Sequence, residues 1–507
     1  MDGTTIARLL EENARLRQEN ELLRQKLDLV LRKLFGSSSE KFDPTQLELL
    51  LDPDASKKPV VAGNASAVEV PSVRTSKGVP RKARLPEHLP VEEIILDPEP
   101  VKACPEAWRC IGEEVSEQLD YQPGKFSRRR LVRRKYIRLA DKAAAPIIAP
   151  LPARLQDGCL ATPGLIAEIL VNKHAWHQPL HRQEAMFRQR HGVTIPRQTM
   201  MNWETLAADR LTPLYQLIRK SLLGVDYLQI DETPVRYLEP GNGKAKTGYY
   251  RVYRSAGGTV LYDWRPGRSH AHLHEILRDG QNAFQGILQS DGYAAYDTYR
   301  RSAAAQGQVI GLAACWAHAR RKFHDARDQS PRLVGWILHQ IGHLYIVESR
   351  LRQVRAGPAL RTAIRSAESL PIYQRLGKAF RMLLGRHGIL PKSALGIALR
   401  YTLGLWARLG VYLGHGQVEI DNNGVENAIR PSAVGKKNWL FIGREDSGWK
   451  SAVFYTLIAN CRLHGIDPHT WFKDVLERLP ATTNHNLGEL LPVNLNRQGQ
   501  PKWVAAS

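Results

Sequence analysis

The spacing of apolar positions changes several times along this chain, and each change marks a different kind of element. Residues 6 to 34 carry a heptad repeat, with Ile6, Asn13, Asn20, Leu27 and Leu34 at positions a and Leu9, Leu16, Leu23 and Val30 at positions d. In a parallel dimer, Glu12 would face Arg17 and Glu19 would face Arg24, both pairs of opposite charge. Asparagine at position a costs stability but fixes register and favours two parallel strands. The pattern therefore predicts a coiled coil, with a single amphipathic helix packed on its own domain as the alternative. Gly36 and the three serines after it end the helix. Residues 51 to 90 are rich in Pro, Ala, Ser, Val and Lys without sustained periodicity and read as a linker.

Helical spacing returns over residues 160 to 220, with helices expected at 163 to 175 and 179 to 191. A third is expected from Pro196, since proline suits the first helical position. This spacing fits a helix-turn-helix with Arg197, Gln198, Met201 and Asn202 near the start of the reading helix, or equally three helices packed as a scaffold. From residue 224 the pattern becomes strand-like, with runs near 225 to 238, 248 to 255 and 259 to 264 separated by glycine-bearing turns. A helix at 269 to 279, a strand ending at Asp291, a helix after Asp297 and a strand near 308 to 315 follow. Hairpin-linked strands followed by alternating strand and helix predict an α/β sheet of mixed direction. Residues 319 to 412 are mostly helical and form an insertion, and 461 to 507 make a short C-terminal segment.

Composition is that of a globular protein, with 43% hydrophobic and 24% charged residues, so it adds little. Charge adds more: 72 Lys+Arg against 50 Asp+Glu gives a net +22, which favours a polyanionic partner, nucleic acid being the commonest. The surplus is concentrated in KFSRRRLVRRKYIR (125 to 138), where eight of fourteen residues are Lys or Arg interleaved with Phe126, Leu131, Val132, Tyr136 and Ile137. A basic strand of this kind suits phosphate contacts, which position DNA without reading its sequence; the alternative is an edge strand guarded by charge. Arg128, Arg129, Arg130, Arg133, Arg134 and Lys135 are its candidate contacts. Five scattered cysteines argue against a disulfide scaffold and for a reducing compartment. No signal-peptide core and no run of about eighteen apolar residues is present, so no membrane partner is expected.

Three carboxylates carry the candidate chemistry: Asp231 in LQIDETPV, Asp291 in ILQSDGYAAYD and Glu426 in EIDNNGVENAIRP. The first two end apolar runs that read as strands, and the third lies one turn into an expected helix. Two strand-borne aspartates and a helix-borne glutamate can converge on a pair of divalent cations, which clamp the attacking and leaving oxygens of a phosphoryl transfer. Magnesium suits such a site because it needs only a few carboxylates beside water and phosphate oxygens. The plain alternative is that these aspartates are turn residues or helix caps. Gly435, Lys436, Lys437, Asn438 and Trp439 add positive charge and an aromatic ring suited to gripping and stacking a displaced strand.

DETPV, SDGYAAYD, CWAHARRKF and DNNGVENAIRP, in this order, resemble the DDE transposases of the IS66 insertion-sequence family. LFGSSSEKF after the heptads, IGEEVSEQLDYQPGKF and CRLHGIDPHTWFKDVL are similar to that family's zipper, zinc-finger and C-terminal segments. The resemblance implies an α/β RNase H-like catalytic core with a helical insertion, together with an N-terminal coiled coil and small DNA-binding domains. It implies a coiled coil over 1 to 45, a linker over 46 to 90, a basic zinc-finger-like domain over 91 to 150 and a helical region over 155 to 222. The catalytic domain would span 223 to 460, including the insertion at 319 to 412, before the C-terminal segment. The activity implied is DNA cleavage and strand transfer at element ends, dependent on magnesium (or manganese), with Asp231, Asp291 and Glu426 holding the metal. Implied partners are DNA, a second copy of the chain through residues 6 to 34, and small accessory proteins of the element, in the cytoplasm or nucleoid of a bacterium.

Cys315 and His318 match a Cys-x-x-His pair found in many such transposases, and are expected to support the metal site or position substrate, or simply to pack. Asp421, Asn422 and Asn423 are expected to cap the helix of Glu426, and Arg430 to pair with Glu426 or contact a phosphate. One motif departs from the family: Cys104 remains, but its partner positions hold Ala107, Arg138 and Asp141, so zinc is not expected there. Two rival functions remain at this point, a catalytically silent DNA-binding descendant of a transposase and an RNase H-like nuclease that cuts without joining.

Overall fold

A computed structural model describes residue 106, residues 124 to 136, 147 to 148 and 153 to 495, apart from 240, 242 and 386 to 388. The heptad segment, the linker and the cysteines Cys104 and Cys110 lie outside the described residues. All described residues but Glu106 fall in one compact unit, Gln122–Ser507.

Three helices come first: α1 (Pro163–His174), α2 (Leu180–His191) and α3 (Arg197–Ser221). The Thr162 side chain caps α1, and Gly192 closes α2 in the left-handed region at φ 64°. Pro196 stands just before α3 and is not its first residue. The sheet follows as β1 (Tyr227–Tyr237), β2 (Lys246–Ser255), β3 (Val260–Arg265) and β4 (Gly286–Ser290). Then come α4 (Ala295–Ala304), β5 (Ile310–Ala314), α5 (Trp316–His324), α6 (Pro331–Gln353), α7 (Leu370–Leu384) and α8 (Ala394–Gly404). The chain ends with α9 (Asn423–Trp439), β6 (Phe441–Ile442), α10 (Gly448–Leu463) and α11 (Pro468–Arg478).

The expected strands are present, and the sheet is mixed in direction: its order is β3-β2-β1-β4-β5, antiparallel from β3 to β1 and parallel from β1 to β5. The helix expected at 269 to 279 is shorter, running only Ala271–Ile276, because Arg278–Asp279 pairs with Asn282–Ala283 in a small hairpin. In the basic segment only Lys135–Tyr136 is a strand, paired with Ile147–Ile148. Residues 124 to 134 belong to no regular element.

One face of β1 to β3 presents Val235, Tyr250, Val252, Tyr262 and Trp264 to Val425 and Ile429 of α9. The other presents Leu228, Ile230, Tyr253 and Leu261 to a core that also holds Leu211, Leu214 and Ile218 of α3 and residues of α10 and α11. The helices before the sheet and those after it thus share one hydrophobic core with it. A second core, built by α5 to α8, reaches the sheet through Tyr227, Ile287, Ala313 and Ala314. The free edge of β3 is covered by α10, where Asn460 bonds both backbone groups of Val260 and the Thr456 hydroxyl accepts from Tyr262 N. A covered edge offers no template for pairing with another chain.

Candidate active site

Parallel pairing places the two aspartates. Leu228 and Gln229 of β1 lie in register with Leu288 and Gln289 of β4. Asp231 follows Gln229, and Asp291 follows Gln289, by two residues, so both aspartates lie just beyond the last residues that pair β1 with β4.

Past Gln229 the sheet opens. β4 leaves β1 there, and the next strand on that side is β6, which pairs only with Arg236 and Tyr237. The backbone carbonyls exposed by this gap are satisfied by side chains: Asn422 Nδ2 donates to Ile230 O at 2.9 Å, and Lys436 Nζ to Pro234 O at 3.0 Å. Both donors flank Glu426 on the same stretch of chain, so filling the gap fixes α9 against β1. Gln229 Nε2 donates to Asp421 O at 2.9 Å, and Gln289 Nε2 donates to Glu419 O at 2.8 Å. Trp316 N donates to Ile420 O, and the Cys315 sulfur accepts from Asn422 N at 3.2 Å. Residues 419 to 422 are therefore clamped from β1, β4 and the end of β5. At Gly424 an added Cβ would stand 2.5 Å from Gln229 Oε1 and 2.7 Å from Arg254 Nη1, so a side chain there would have to displace the ends of both.

This clamp brings Glu426 to the two aspartates. Burial pushes the Asp231 carboxyl up to about 7, reinforced by the negative charges of Glu426 and Asp291 and opposed by the Glu232 N–H. That N–H donates to Asp231 Oδ1 at 2.8 Å, and Tyr293 N donates to Asp291 Oδ1 at 2.9 Å. Each aspartate thus has one oxygen oriented by the backbone. Asp291 is also held from the helical insertion, since the Tyr401 hydroxyl donates to its carbonyl at 2.7 Å. Gly292 follows at φ 89°, where an added Cβ would meet Leu405 Cδ1 at 2.7 Å.

Cys315, His318 and Glu426 each offer a ligand atom within 4.8 Å of one another, and His318 Nδ1 lies 3.8 Å from Glu426 Oε1. Burial raises the Cys315 thiol to about 12, leaving it a neutral acceptor for the Asn422 N–H.

Other expectations fall differently. Asn422 occupies the cap position of α9 but spends its side chain on β1, and the Asp421 carboxylate instead accepts from Asn423 N and Nδ2. Arg430 is exposed on α9 and forms no ion pair with Glu426. Lys436 is committed to Thr233 and Pro234, and Trp439 is half-buried against a core cluster, whereas Lys437 is exposed. Arg128, Arg129, Arg130, Arg133, Arg134 and Lys135 are all exposed, and Phe126 anchors their segment edge-on to Phe187 of α2 at 5.2 Å. Arg197, Gln198, Met201 and Asn202 are exposed at the start of α3, whose Met200 is already buried beside Ile169 and Phe187.

The positioning residues Gln229 and Gln289 were not singled out from sequence. Their signal is the repeated Leu-Gln-x-Asp of LQID and LQSD, a buried amide two residues ahead of each aspartate.

Residues 158–449 match the profile described as the transposase IS66 family, and residues 456–493 match the IS66 C-terminal element. The chain belongs to the IS66 transposase family. Residues 22–94 of this IS66 transposase match a third profile, described as transposase C of IS166 homeodomain. It is similar to three proteins of Sinorhizobium fredii, each named as uncharacterized. One, y4jD, is 35% identical over 483 residues, covering 91% of this chain and 92% of its own. A second, y4qI, is 33% identical over 425 residues, covering 80% and 76%. A third, y4hP, is 29% identical over 490 residues, covering 91% and 86%. Membership carries transposase function and DNA binding, and the family generally uses divalent metal ions. No described helix of this transposase is long and apolar enough to cross a membrane.

Proposed function

We propose that this IS66 transposase cleaves DNA at the ends of its own element and joins the freed 3′ end to target DNA, with Asp231, Asp291 and Glu426 as the metal-holding carboxylates of an RNase H-like core. The observation that carries the reading is the strand-strand-helix placement of the three groups, which brings Glu426 and Asp291 near enough for their charges to raise the Asp231 carboxyl. Asp231 lies on the first strand of the central sheet and Asp291 just past the fourth, with Glu426 on a helix after an insertion, the order of an RNase H-like core.

The donor set fits magnesium or manganese: carboxylate oxygens are hard ligands, and their shared repulsion is what a divalent cation relieves. Bound there, such ions would activate a water or 3′-hydroxyl and stabilise the leaving oxygen. The Glu232 and Tyr293 N–H groups orient one oxygen of each aspartate, and Asn422, Gln229 and Gln289 hold the helix of Glu426 in place. Cys315 and His318 support Glu426 from the start of α5. No side-chain nucleophile takes part, and the thiol of Cys315 is too basic for one. The exposed arginines of 128 to 134, with Lys135, Arg197 and Lys437, supply non-specific contacts to DNA phosphates. Dimerisation through residues 6 to 34 and small accessory proteins complete the proposed assembly.

The test incubates the purified protein with labelled DNA from either flank of its own gene, target DNA and magnesium. Joined products that vanish in Asp231→Asn, Asp291→Asn and Glu426→Gln, with DNA binding retained, are expected. Joining that survives Asp231→Asn would sink the site. Cutting without joining would identify a nuclease, and binding without either would identify a silent DNA-binding protein.

A further inference from the structure

Two cations stand beside Asp291, each mounted on a tyrosine that is itself bonded to that residue. Tyr293, whose N–H holds Asp291 Oδ1, carries Arg268 over its ring at 4.0 Å. Tyr401, whose hydroxyl holds Asp291 O, carries Lys322 over its ring at 5.7 Å.

Arg268 is built into place. Its guanidinium also lies 5.3 Å from the Tyr249 ring, and its Nε donates to Glu232 Oε2 at 2.6 Å. Glu232 is buried, and its other oxygen pairs with the buried Arg251 at 2.8 Å. One carboxylate therefore serves two guanidiniums, leaving a net positive charge, and only Arg268 is solvent-accessible. Its terminal nitrogens form no hydrogen bond to any described residue. Lys322 is exposed on α5, one turn beyond His318, and pairs with no described acid. A guanidinium fixed by a carboxylate and aromatic faces, with its fork left open, matches phosphate geometry.

We propose that Arg268 and Lys322 bind DNA backbone phosphates on the two sides of the one that reacts at the carboxylates. The inference rests on the DNA-cleaving function proposed above, but its test does not require cleavage. Binding of duplexes from the flanks of the protein's own gene is measured against salt for the wild type, Arg268→Gln and Lys322→Gln. Each variant should bind roughly tenfold more weakly, with a salt slope smaller by about one. Lys322→Arg should restore binding, Lys322→Gln should keep the wild-type thermal midpoint, and Arg268→Gln, which loses its bond to Glu232, is compared well below its own midpoint.

A series of duplexes with a single neutral methylphosphonate then locates each contact. At one position the wild type should fall to the level of the variant, while that variant loses nothing further. If the variants and the wild type respond alike at every position, or salt slopes are unchanged, the assignment is overturned. A wild type that binds with these contacts but never cuts DNA would instead refute the proposed activity and leave the assignment standing.

Discussion

The Tyr401 hydroxyl donates to the backbone carbonyl of Asp291 at 2.7 Å, joining residues 110 positions apart. Tyr401 belongs to α8 in the helical insertion, and Leu405 just beyond that helix closes over Gly292. The insertion therefore touches the backbone of the second carboxylate and is part of what aims it.

Replacing Tyr401 with Phe should remove that bond and little else. Stability should fall by about 1 kcal/mol, the usual net worth of one hydrogen bond, while joined product drops more than DNA binding does. Equal joining rates for the variant and the wild type would show that Asp291 is aimed without this tether.

Asp231 sets a pH dependence. Its folded pKa of about 7 lies above the unfolded value near 3.8, so the folded state holds the extra proton between them. Stability from this group is therefore greatest below the unfolded value and is lost as pH rises through 7. Without divalent ions, Asp231→Asn should raise the stability measured at pH 8 by roughly 1–4 kcal/mol and flatten the slope above pH 4. Magnesium should raise the melting temperature of the wild type but not of the variant. A variant less stable than the wild type at pH 8 would contradict the crowding of charge described here.

Glu204 has the opposite sign. Burial pushes its carboxyl up, but the Lys173 ammonium at 2.6 Å and the hydrogen bond from His174 bring it down to about 2. Its contribution is present above the unfolded value near 4.5 and is lost as pH falls toward 2. Glu204→Gln should cost about 3 kcal/mol at pH 7, since it leaves Lys173 without its partner. The same change should remove part of the acid limb of a pH-stability curve, and urea unfolding at pH 3 and pH 7 checks both.

The exposed arginines predict a salt effect. Changing Arg128, Arg129 and Arg130 to Ala should weaken binding to any duplex and reduce the salt slope by roughly one per lost phosphate contact. Loss confined to one DNA sequence would show base reading instead. The anchor at Phe126 should leave thermal stability of the rest of the chain unchanged in these variants.

Much of the sheet was legible because each strand carries its own signal of alternating or continuous apolar residues, and both aspartates end such runs. Glu426 was legible as the acid one turn into a helix. What was hidden depends on partners distant in sequence. Asn422 reads as a helix cap, and only the gap beside Ile230 turns its amide toward β1. Lys436 reads as a DNA-gripping cation, and only the unpaired carbonyl of Pro234 draws it inward. Tyr401 carries no local mark of its bond to Asp291. The helix expected to reach Asp279 fails at Leu277 because the Asp279–Asn282 turn forms a hairpin, a competition that periodicity does not register.

The register of β1 against β4 sets which changes of length the protein can survive. Because side chains alternate between faces, gaining or losing one residue between Gln229 and Asp231 turns that carboxylate to the opposite side of the sheet, and a change between Gln289 and Asp291 moves the second acid off the turn where the Tyr293 N–H holds it. The stretch between α5 and α9 is under no such rule, provided it returns Tyr401 and Leu405 to the Asp291 loop. Length variation among related chains should therefore gather in the helical insertion and be absent from the two short segments that lead to the aspartates, where a single codon decides whether the proposed metal-holding group can form.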